Sequence, residues 1–584
     1  MHRFTVWAPS AHDVRVAVRL PGADAVTQVP MEPSGSGWWR ADVEQAGHGT
    51  DYAFHLDGGP ARPDPRSAWQ PDGVHGPSRV FDAGLFRWAD DGWRGRDVRG
   101  SVIYELHVGT FTDSGTLDAA HARLDHLVSL GVDMVELMPV AAFPGRWGWG
   151  YDGVDLYAVH EPYGGPAALQ RFVNACHRRG LGVVLDVVYN HLGPSGNYLS
   201  EFGPYFTDKH HTPWGQAVNL DDEGSAEVRR VIIDNAIRWF RDFHIDALRL
   251  DAVHALKDDS PTHVLADLST EVATLATELG RPLGLIAESD LNDPLMITPV
   301  DQGGLGMTAQ WDDDVHHALH SLLTGEKQGY YVDFGGVEAF AKAMTRAFVH
   351  DGGYSTFRGQ DWGRPVDAER HRGHSFVVYA QDHDQVGNRA TGDRPISTTG
   401  PGLAAVAAAL ILTSPYTPMI FMGEEWGTDT PFQYFCDHTE PELAEAIREG
   451  RRREFAEHGW TDEVPDPLSP STRDASVLQW DQISREPHQR LLAWYRDLLS
   501  LRRREPDLQD DRLGAVRVSC DEEARWLVMH RGSFRVVANL ADDGQHVPLD
   551  SEPVMAAVAW DGALLERDGV RLPGRSAAVV RVLG

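Results

Sequence analysis

Apolar positions along this chain follow one period near its start, another through its middle, and the first again near its end. Phe4, Val6 and Ala8 alternate with polar neighbours, and Val14, Val16 and Val18 do the same around Arg15. "GWW" at Gly37–Trp39 and "DYAFHLDGG" at Asp51–Gly59 extend the alternation. A period of two puts successive side chains on opposite faces of a strand. Short strands punctuated by Gly and Pro predict a small β-sandwich over residues 1–90, with the turn-rich Pro60–Pro77 stretch as a strap leading out of it.

From about Ser101 short apolar runs alternate with longer helical patterns. The runs are Val102–Leu106, Met134–Met138, Val183–Val187, Ala247–Leu250, Leu285–Ala287, Met307–Trp311, Ser375–Ala380 and Met419–Met422. Between them, Leu169, Phe172, Val173 and Cys176 fall at helical spacing, and Gly180 is placed to end that helix. Ser225 is placed to cap a helix running to Arg241. Strand and helix alternating in this way predict an α/β fold, a parallel (β/α)8 barrel, over residues 91–509. The span exceeds a minimal barrel, so insertions are expected, with Asn197–Asp222 as one. "LLAWYRDLLSLRRREP" at Leu491–Pro506 reads as the last barrel helix. Alternation returns at Trp526, Val528, Phe534 and Val536 and predicts a C-terminal β-domain over residues 510–584.

The stretch Pro395–Gly423 carries no charge. Pro415 and Pro418 interrupt it, so a buried helix, a turn and a buried strand fit better than a membrane span. At 584 residues the chain is too long for one core and should divide into two to four domains. The 53 Lys and Arg stand against 86 Asp and Glu, a net charge of −33. That balance argues against nucleic acid and anionic membranes as partners and reads as a solubility surface. Cys176, Cys436 and Cys520 lie far apart, form no metal spacing and cannot all pair, which fits reduced thiols in a cytoplasmic protein. "MHRFTVWAPS" enters a strand pattern at once, so no secretory signal is expected.

Four carboxylates come at or just past the ends of apolar runs: Asp186 in "LDVVYNH", Asp251 in "LRLDAVH", Glu288 in "GLIAESD" and Asp384 in "AQDHDQVGN". Strand ends are where barrels of this kind place their active sites. A single strand-end Asp is readily explained as a helix cap; four with Arg and His alongside are not. Glycosidic cleavage needs one carboxylate to attack or stabilise the sugar cation and one carboxylic acid to protonate the leaving oxygen. Arg249 lies two residues before Asp251, on the same strand face, and a guanidinium there should keep a nucleophile ionised. Glu288 ends an apolar run, where desolvation raises a carboxyl towards general-acid duty; a surface-loop acid is the alternative. His383 and Asp384 could bind sugar hydroxyls. Asn190 and His191 could equally form a structural polar cluster. Tyr151 in "WGWGYDG" could stack on a sugar or belong to the core. "WDDDVHH" at Trp311–His317 fits no zinc spacing, and its acids could be helix caps.

These segments resemble the signature regions of the α-amylase superfamily, glycoside hydrolase family 13. The resemblance implies that Asp251 is the nucleophile, Glu288 the acid/base and Asp384 the residue that holds ring hydroxyls in the transition state. It implies that Arg249, His191, His383 and Tyr151 contact the glucose at the cleavage point, and that Asp186 supports the site. Gln385 and Asn388 are further candidate contacts. The resemblance also puts Asp313, Asp314, His316 and His317 near the sugar cleft, and His254 on the leaving-group side. Asp382 departs from the pattern, which usually has Asn there; a change in local hydrogen bonding is expected. Asn190 matches a calcium-binding position of some members, but the other ligands are not recognisable, so no metal and no cofactor are expected.

"DPRSAWQPDGVHGPS", "LRLDAVHALKD", "AQWDDDVHHALHSLLTGE", "QDHDQVGNRATGDR", "FMGEEWGTDTPFQYFCDH" and "VPDPLSPSTRDAS" narrow the resemblance to the trehalose-releasing branch of the superfamily. Its members hydrolyse the α-1,4 bond beside a terminal trehalose unit. The implied partners are maltooligosyltrehalose and maltooligosaccharides, with a pathway link to a maltooligosyltrehalose synthase. Retaining hydrolysis is the expected reaction and requires carboxyl groups about 5–5.5 Å apart. A glycogen-branching transferase is the first alternative. A non-catalytic glucan-binding relative is the second, though such relatives usually lose one of the three acids and all three are present here.

Overall fold

A computed structural model describes residues 1–457 and 464–583. Its centre is a closed parallel barrel of strands β1 (Ile103–Leu106), β2 (Met134–Leu137), β3 (Gly182–Val187), β4 (Ala247–Leu250), β5 (Gly284–Ala287), β6 (Ala309–Trp311), β7 (Phe376–Tyr379) and β8 (Thr417–Phe421), paired in that order around the ring. Every residue of these strands is buried, because helices cover one face and the barrel interior the other. That is why each strand reads as a nearly unbroken apolar run and not as an alternating one.

The interior is layered. Ile103, Met134, Val184, Ala247, Ile286, Ala309, Val377 and Met419 form a dry cluster inside the ring. Two residues further along four of these strands, on the same inward face, stand Glu105, Glu136, Asp186 and Arg249. Register sets them side by side: Glu105 pairs with Glu136 across β1 and β2, and Asp186 with Arg249 across β3 and β4. An apolar plug thus fills the N-terminal half of the barrel and a charged layer sits above it, towards the strand ends.

Two sequence expectations about helix ends change. Ser225 is the first residue of the helix Ser225–Asp242 and does not cap it; Gly224, left-handed at φ 83°, takes the cap position without a side chain. The helix carrying Leu169 and Cys176 ends at His177, and Gly180, at φ 79°, makes the turn that follows.

The N-terminal region forms a three-stranded sheet (His2–Trp7, Trp38–Val43, Glu32–Gly35) and a four-stranded sheet (Thr27–Pro30, Val14–Arg19, Asp51–Leu56, Ser78–Arg79). Phe4, Val6, Val14, Val16 and Phe54 are buried in it, all at 2% exposure or less. It is tied to the barrel by Arg66–Asp234 and Arg62–Glu201 ion pairs of 2.8 Å each and by Trp69 Nε1 donating to Glu161 at 2.7 Å. The C-terminal region builds a five-stranded sheet from Val516–Asp521, Trp526–Arg531, Phe534–Asn539, Ser576–Val582 and Pro553–Ala559, with a three-stranded sheet beside it.

The uncharged stretch becomes the helix Pro395–Leu412, kinked at Gly400, followed by β8. By length and composition this helix could cross a membrane. Here Leu403 and Ala405–Leu412 are buried, and Ala405 accepts a hydrogen bond at 2.9 Å from Trp494 of the helix His488–Arg504. The insertion after β3 forms a short helix, Leu199–Phe202, and a hairpin of Phe206–Thr212 and Gly215–Val218.

Candidate active site

Above the charged layer the strand ends open into a cavity of about 740 Å³. Asp251, Glu288 and Asp384 all line it, with Arg249, His383, Tyr151, His191, His254 and Asn388.

Arg249 organises the floor. Its Nη1 donates to both oxygens of Asp186, at 3.0 and 2.9 Å, and to Asp251 at 2.7 Å. Its Nη2 lies 3.7 Å from Glu288 Oε2. Its guanidinium carbon stands 4.3 Å over the Trp311 ring. One fork therefore serves three carboxyl groups, which a single-point ammonium cannot do.

Asp251 follows β4 directly. Its backbone N–H donates to Val187 O at 3.0 Å, and Asn190 Nδ2 donates to its carboxylate at 3.1 Å. Arg249 and Asn190 hold this carboxylate in one rotamer. Ala252 then takes a left-handed conformation, φ 40°, which is uncommon outside glycine. That turn aims the Ala252 N–H at Glu288 Oε2, to which it donates.

Glu288 has the opposite electrostatics. Burial pushes its carboxyl well above the ordinary range, and the charges of Asp251 and Asp313 add to this, while Arg249 and the Ala252 amide oppose it. Of the two carboxyls beside one guanidinium, Asp251 is held by two donors as a nucleophile needs and Glu288 is pushed up as an acid needs, the pairing that glycosyl transfer through a covalent intermediate uses.

Asp384 stands on the short helix His383–Gly387, its carboxylate open to the cavity and accepting from Asn388 Nδ2 at 2.6 Å. Asp382 caps this helix through Oδ1, which accepts from Asp384 N at 2.9 Å and Gln385 N at 3.1 Å. Its Oδ2 is buried and unpartnered. Burial pushes the Asp382 carboxyl well up, opposed by His383, and its Oδ1 takes the two cap N–H groups as the oxygen of an Asn would.

Asp186 lies behind the cavity wall, 2% exposed. It accepts from Tyr151 Oη at 2.7 Å, and burial, opposed by Arg249, pushes its carboxyl up to about 6. His191 points Nε2 at Tyr151 O, 3.0 Å away, and stacks on Trp214 with centroids 4.5 Å apart. His254 also lines the cavity, its Nδ1 3.7 Å from Asp290. Arg358 Nη2 approaches the same Asp290 at 3.5 Å, and Trp362 Nε1 donates to its carbonyl at 2.8 Å.

Six of the expected contacts, Asp186, Asp313, Asp314, His316, His317 and Gln385, are not among the cavity-lining residues, and helix phase explains two of them. Asp314 and His316 lie on the helix Asp313–Thr324 and turn inward. Asp314 accepts from Asn292 Nδ2 and from the backbone N–H groups of Val349 and His350, at 2.9, 2.7 and 2.8 Å. His316 is 1% exposed among His320, Tyr331 and Tyr379. These two are structural, which corrects the expectation that they touch sugar. Asp313 and His317, four residues apart, share the other face. Asp313 accepts from Tyr379 and, at 3.2 Å, from Gln385 Nε2, and the His317 ring centroid lies 4.7 Å from that of Tyr330. Asp313, His317 and Gln385 therefore sit one layer behind the cavity.

Sequence reasoning missed Trp149, Asp152, Asn197, Phe206, Trp214, Gln216 and Tyr434, all on the cavity wall. A Trp in the polar turn "HHTPWGQ" was the available signal: Trp214 is 50% exposed, lines the cavity and stacks on His191. Asn190 does not fit a calcium site. Its Oδ1 faces His191 Nδ1 at 2.5 Å and its amide donates to Asp251 and Ala252, so no step is routed through a metal.

A parallel barrel with an arginine-linked acid pair and a third carboxylate at its strand ends is a glycoside hydrolase of the α-amylase class. The α-amylase catalytic-domain family matches residues 89–216. Carbohydrate-binding module 48, the isoamylase N-terminal domain, matches residues 1–67, and a domain of unknown function, DUF3459, matches residues 511–579. The malto-oligosyltrehalose trehalohydrolase of Arthrobacter ramosus is 53% identical over 99% of both chains. That of Mycobacterium tuberculosis is 50% identical over 100% of this chain and 99% of its own. The crystal structure of a putative α-amylase from Salmonella typhimurium superposes with a TM-score of 0.90 at 38% identity, over 100% of this chain and 97% of the other. The chain belongs to the malto-oligosyltrehalose trehalohydrolase family.

Proposed function

We propose that this enzyme hydrolyses the α-1,4-glucosidic bond next to the terminal trehalose of maltooligosyltrehalose and releases trehalose with retention of configuration. The observation that carries the reading is the unequal pair on one guanidinium. Arg249 contacts Asp251 at 2.7 Å and approaches Glu288 at 3.7 Å, while burial keeps Glu288 neutral. Asp251 attacks the anomeric carbon as Glu288 gives its proton to the departing glycosidic oxygen. The resulting Glu288 carboxylate then takes a proton from water, whose oxygen displaces Asp251. Asp384 holds ring hydroxyls of the sugar being transferred, and Tyr151, His191 and His383 complete that subsite. Trehalose departs on the side of His254.

Three structural units accompany this reading: a carbohydrate-binding-type sandwich over 1–90, the barrel over 91–509 and a β-domain over 510–584. We place the enzyme in the cytoplasm, downstream of a maltooligosyltrehalose synthase that supplies its substrate. Incubation with maltooligosyltrehalose beside plain maltooligosaccharide tests the reading. Free trehalose as the dominant product, with much slower attack on the plain oligosaccharide, supports it. Branched glucan without trehalose identifies a transferase and overturns it.

A further inference from the structure

Glu105 is fully buried on β1, at 0% exposure, and faces the floor of the active site from inside the barrel. Its Oε1 lies 2.5 Å from His383 Nδ1, and its Oε2 accepts from the His383 backbone N–H at 3.1 Å. A carboxylate that bonds both the ring and the backbone of one residue fixes where that residue stands and how its ring is turned. The other ring nitrogen, Nε2, lies 2.8 Å from Tyr151 Oη. The Tyr151 hydroxyl donates to Asp186 Oδ2 at 2.7 Å; having one proton, it can only accept from Nε2. Both imidazole nitrogens are therefore donors. The chain continues through Asp186 to Arg249 Nη1 and on to Asp251, so its charges alternate from Glu105 to the nucleophile.

We propose that Glu105 is a positioning residue of this active site: it holds His383 doubly protonated and thereby fixes the hydroxyl of Tyr151 on Asp186 and the guanidinium of Arg249 on Asp251. The inference rests on the functional reading above. A neutral His383 that kept its Nδ1 proton for Glu105 would turn Nε2 into an acceptor. The Tyr151 proton would then be shared between His383 and Asp186, and Arg249 would lose a fixed counter-charge.

The groups around His383 favour this arrangement. Burial alone would strip the ring of its proton, but Glu105 first, then Asp382 and Asp384, more than reverse this and push His383 up to about 10. Glu136 on β2 and Asp186 on β3 also face it, and both are disfavoured as anions by burial. Arg249 on β4 and His107 after β1 are the nearby bases, and burial drives His107 down to about 3, where it is neutral.

The test compares Glu105→Gln, His383→Asn and the double variant with the native enzyme. Glutamine keeps the shape and the acceptor oxygen but not the charge. Glu105→Gln should lose about 3-fold in kcat/KM near pH 5.5 and about 10- to 100-fold near pH 8.5, the size of one charge-assisted hydrogen bond. A loss that is the same at both pH values overturns the proposal, since a merely structural defect would not follow the His383 proton. The double variant should match His383→Asn within about 3-fold, because Glu105 has nothing left to position; a much larger loss shows that Glu105 acts elsewhere and overturns it too. This comparison stands even if Glu105→Gln alone folds poorly. Spectra of 15N-histidine-labelled protein, with His383→Asn to assign the signal, read the ring directly and need no turnover. The His383 imidazolium should persist past about pH 9 in the native protein and titrate away lower in Glu105→Gln. If the native protein releases no trehalose while these spectra hold, the functional reading fails and the Glu105–His383 relation stands. If the His383 ring titrates alike with and without the Glu105 carboxylate, the proposal fails whatever the substrate.

Discussion

Arg249→Met removes the one cation under three carboxyl groups and leaves a side chain of similar length. At the observed 2.7 and 2.9 Å contacts to Asp251 and Asp186, each attraction is about 6 kcal/mol at an effective dielectric of about 20. Desolvation offsets much of this, and losing one partner of a buried pair costs about 3–5 kcal/mol. The cost must depend on pH. Asp186 already stands at about 6 with the guanidinium beside it, and without it the folded value rises further. A carboxyl raised on folding loses stability as pH climbs from its unfolded value, about 3.9, through its folded value. The deficit of Arg249→Met should thus be about 1–2 kcal/mol near pH 5 and about 3–5 kcal/mol near pH 7.5. Urea unfolding followed by tryptophan fluorescence measures it, and Trp311 stacks on the replaced group. Turnover should fall about 10³-fold or more, since the nucleophile loses its counter-charge. A deficit that is absent, or equal at both pH values, would refute the claim that Arg249 balances these carboxyls.

Trp214→Ala should raise KM about 10- to 30-fold with kcat nearly unchanged, because an open indole face covered by a sugar contributes about 1.5–2 kcal/mol of apolar burial; a fall in kcat at constant KM would move Trp214 into the chemical step. Glu288→Gln should cut kcat by about 10²- to 10⁴-fold on natural substrate, while the ester-forming first step should be slowed much less on a substrate whose leaving group needs no proton. Native activity should decline as pH rises through the elevated Glu288 value, and that alkaline limb should be missing from the rate of ester formation by Glu288→Gln on the activated substrate; a limb that persisted would assign the acid role elsewhere.

The barrel was legible because parallel strands buried on both faces leave apolar runs with little interruption, and all eight runs coincide with barrel strands to within two or three residues. The acids were legible because they stand at the ends of those runs. What stayed hidden depended on contacts distant in sequence. Trp214, Phe206 and Gln216 reach the cavity only through the path of an inserted hairpin. Glu105 belongs to a strand whose partner His383 lies 278 residues away. Asp314 and His316 were misplaced because a cluster of acids and histidines says nothing about helix phase until Asp312 is seen to cap the helix and set the start of its turns. The three-part architecture was readable as changes of period along the chain.

Covalent trapping tests the central claim most directly. Glu288→Gln, given a maltosyl fluoride, can form the glycosyl ester without an acid but cannot activate water to hydrolyse it. Mass spectrometry of the digested protein should find one maltosyl group, carried by the peptide containing Asp251, and the native enzyme should release the shortened maltooligosaccharide initially as the α-anomer. An adduct on another carboxyl, or release of the β-anomer with no adduct at all, would contradict the account.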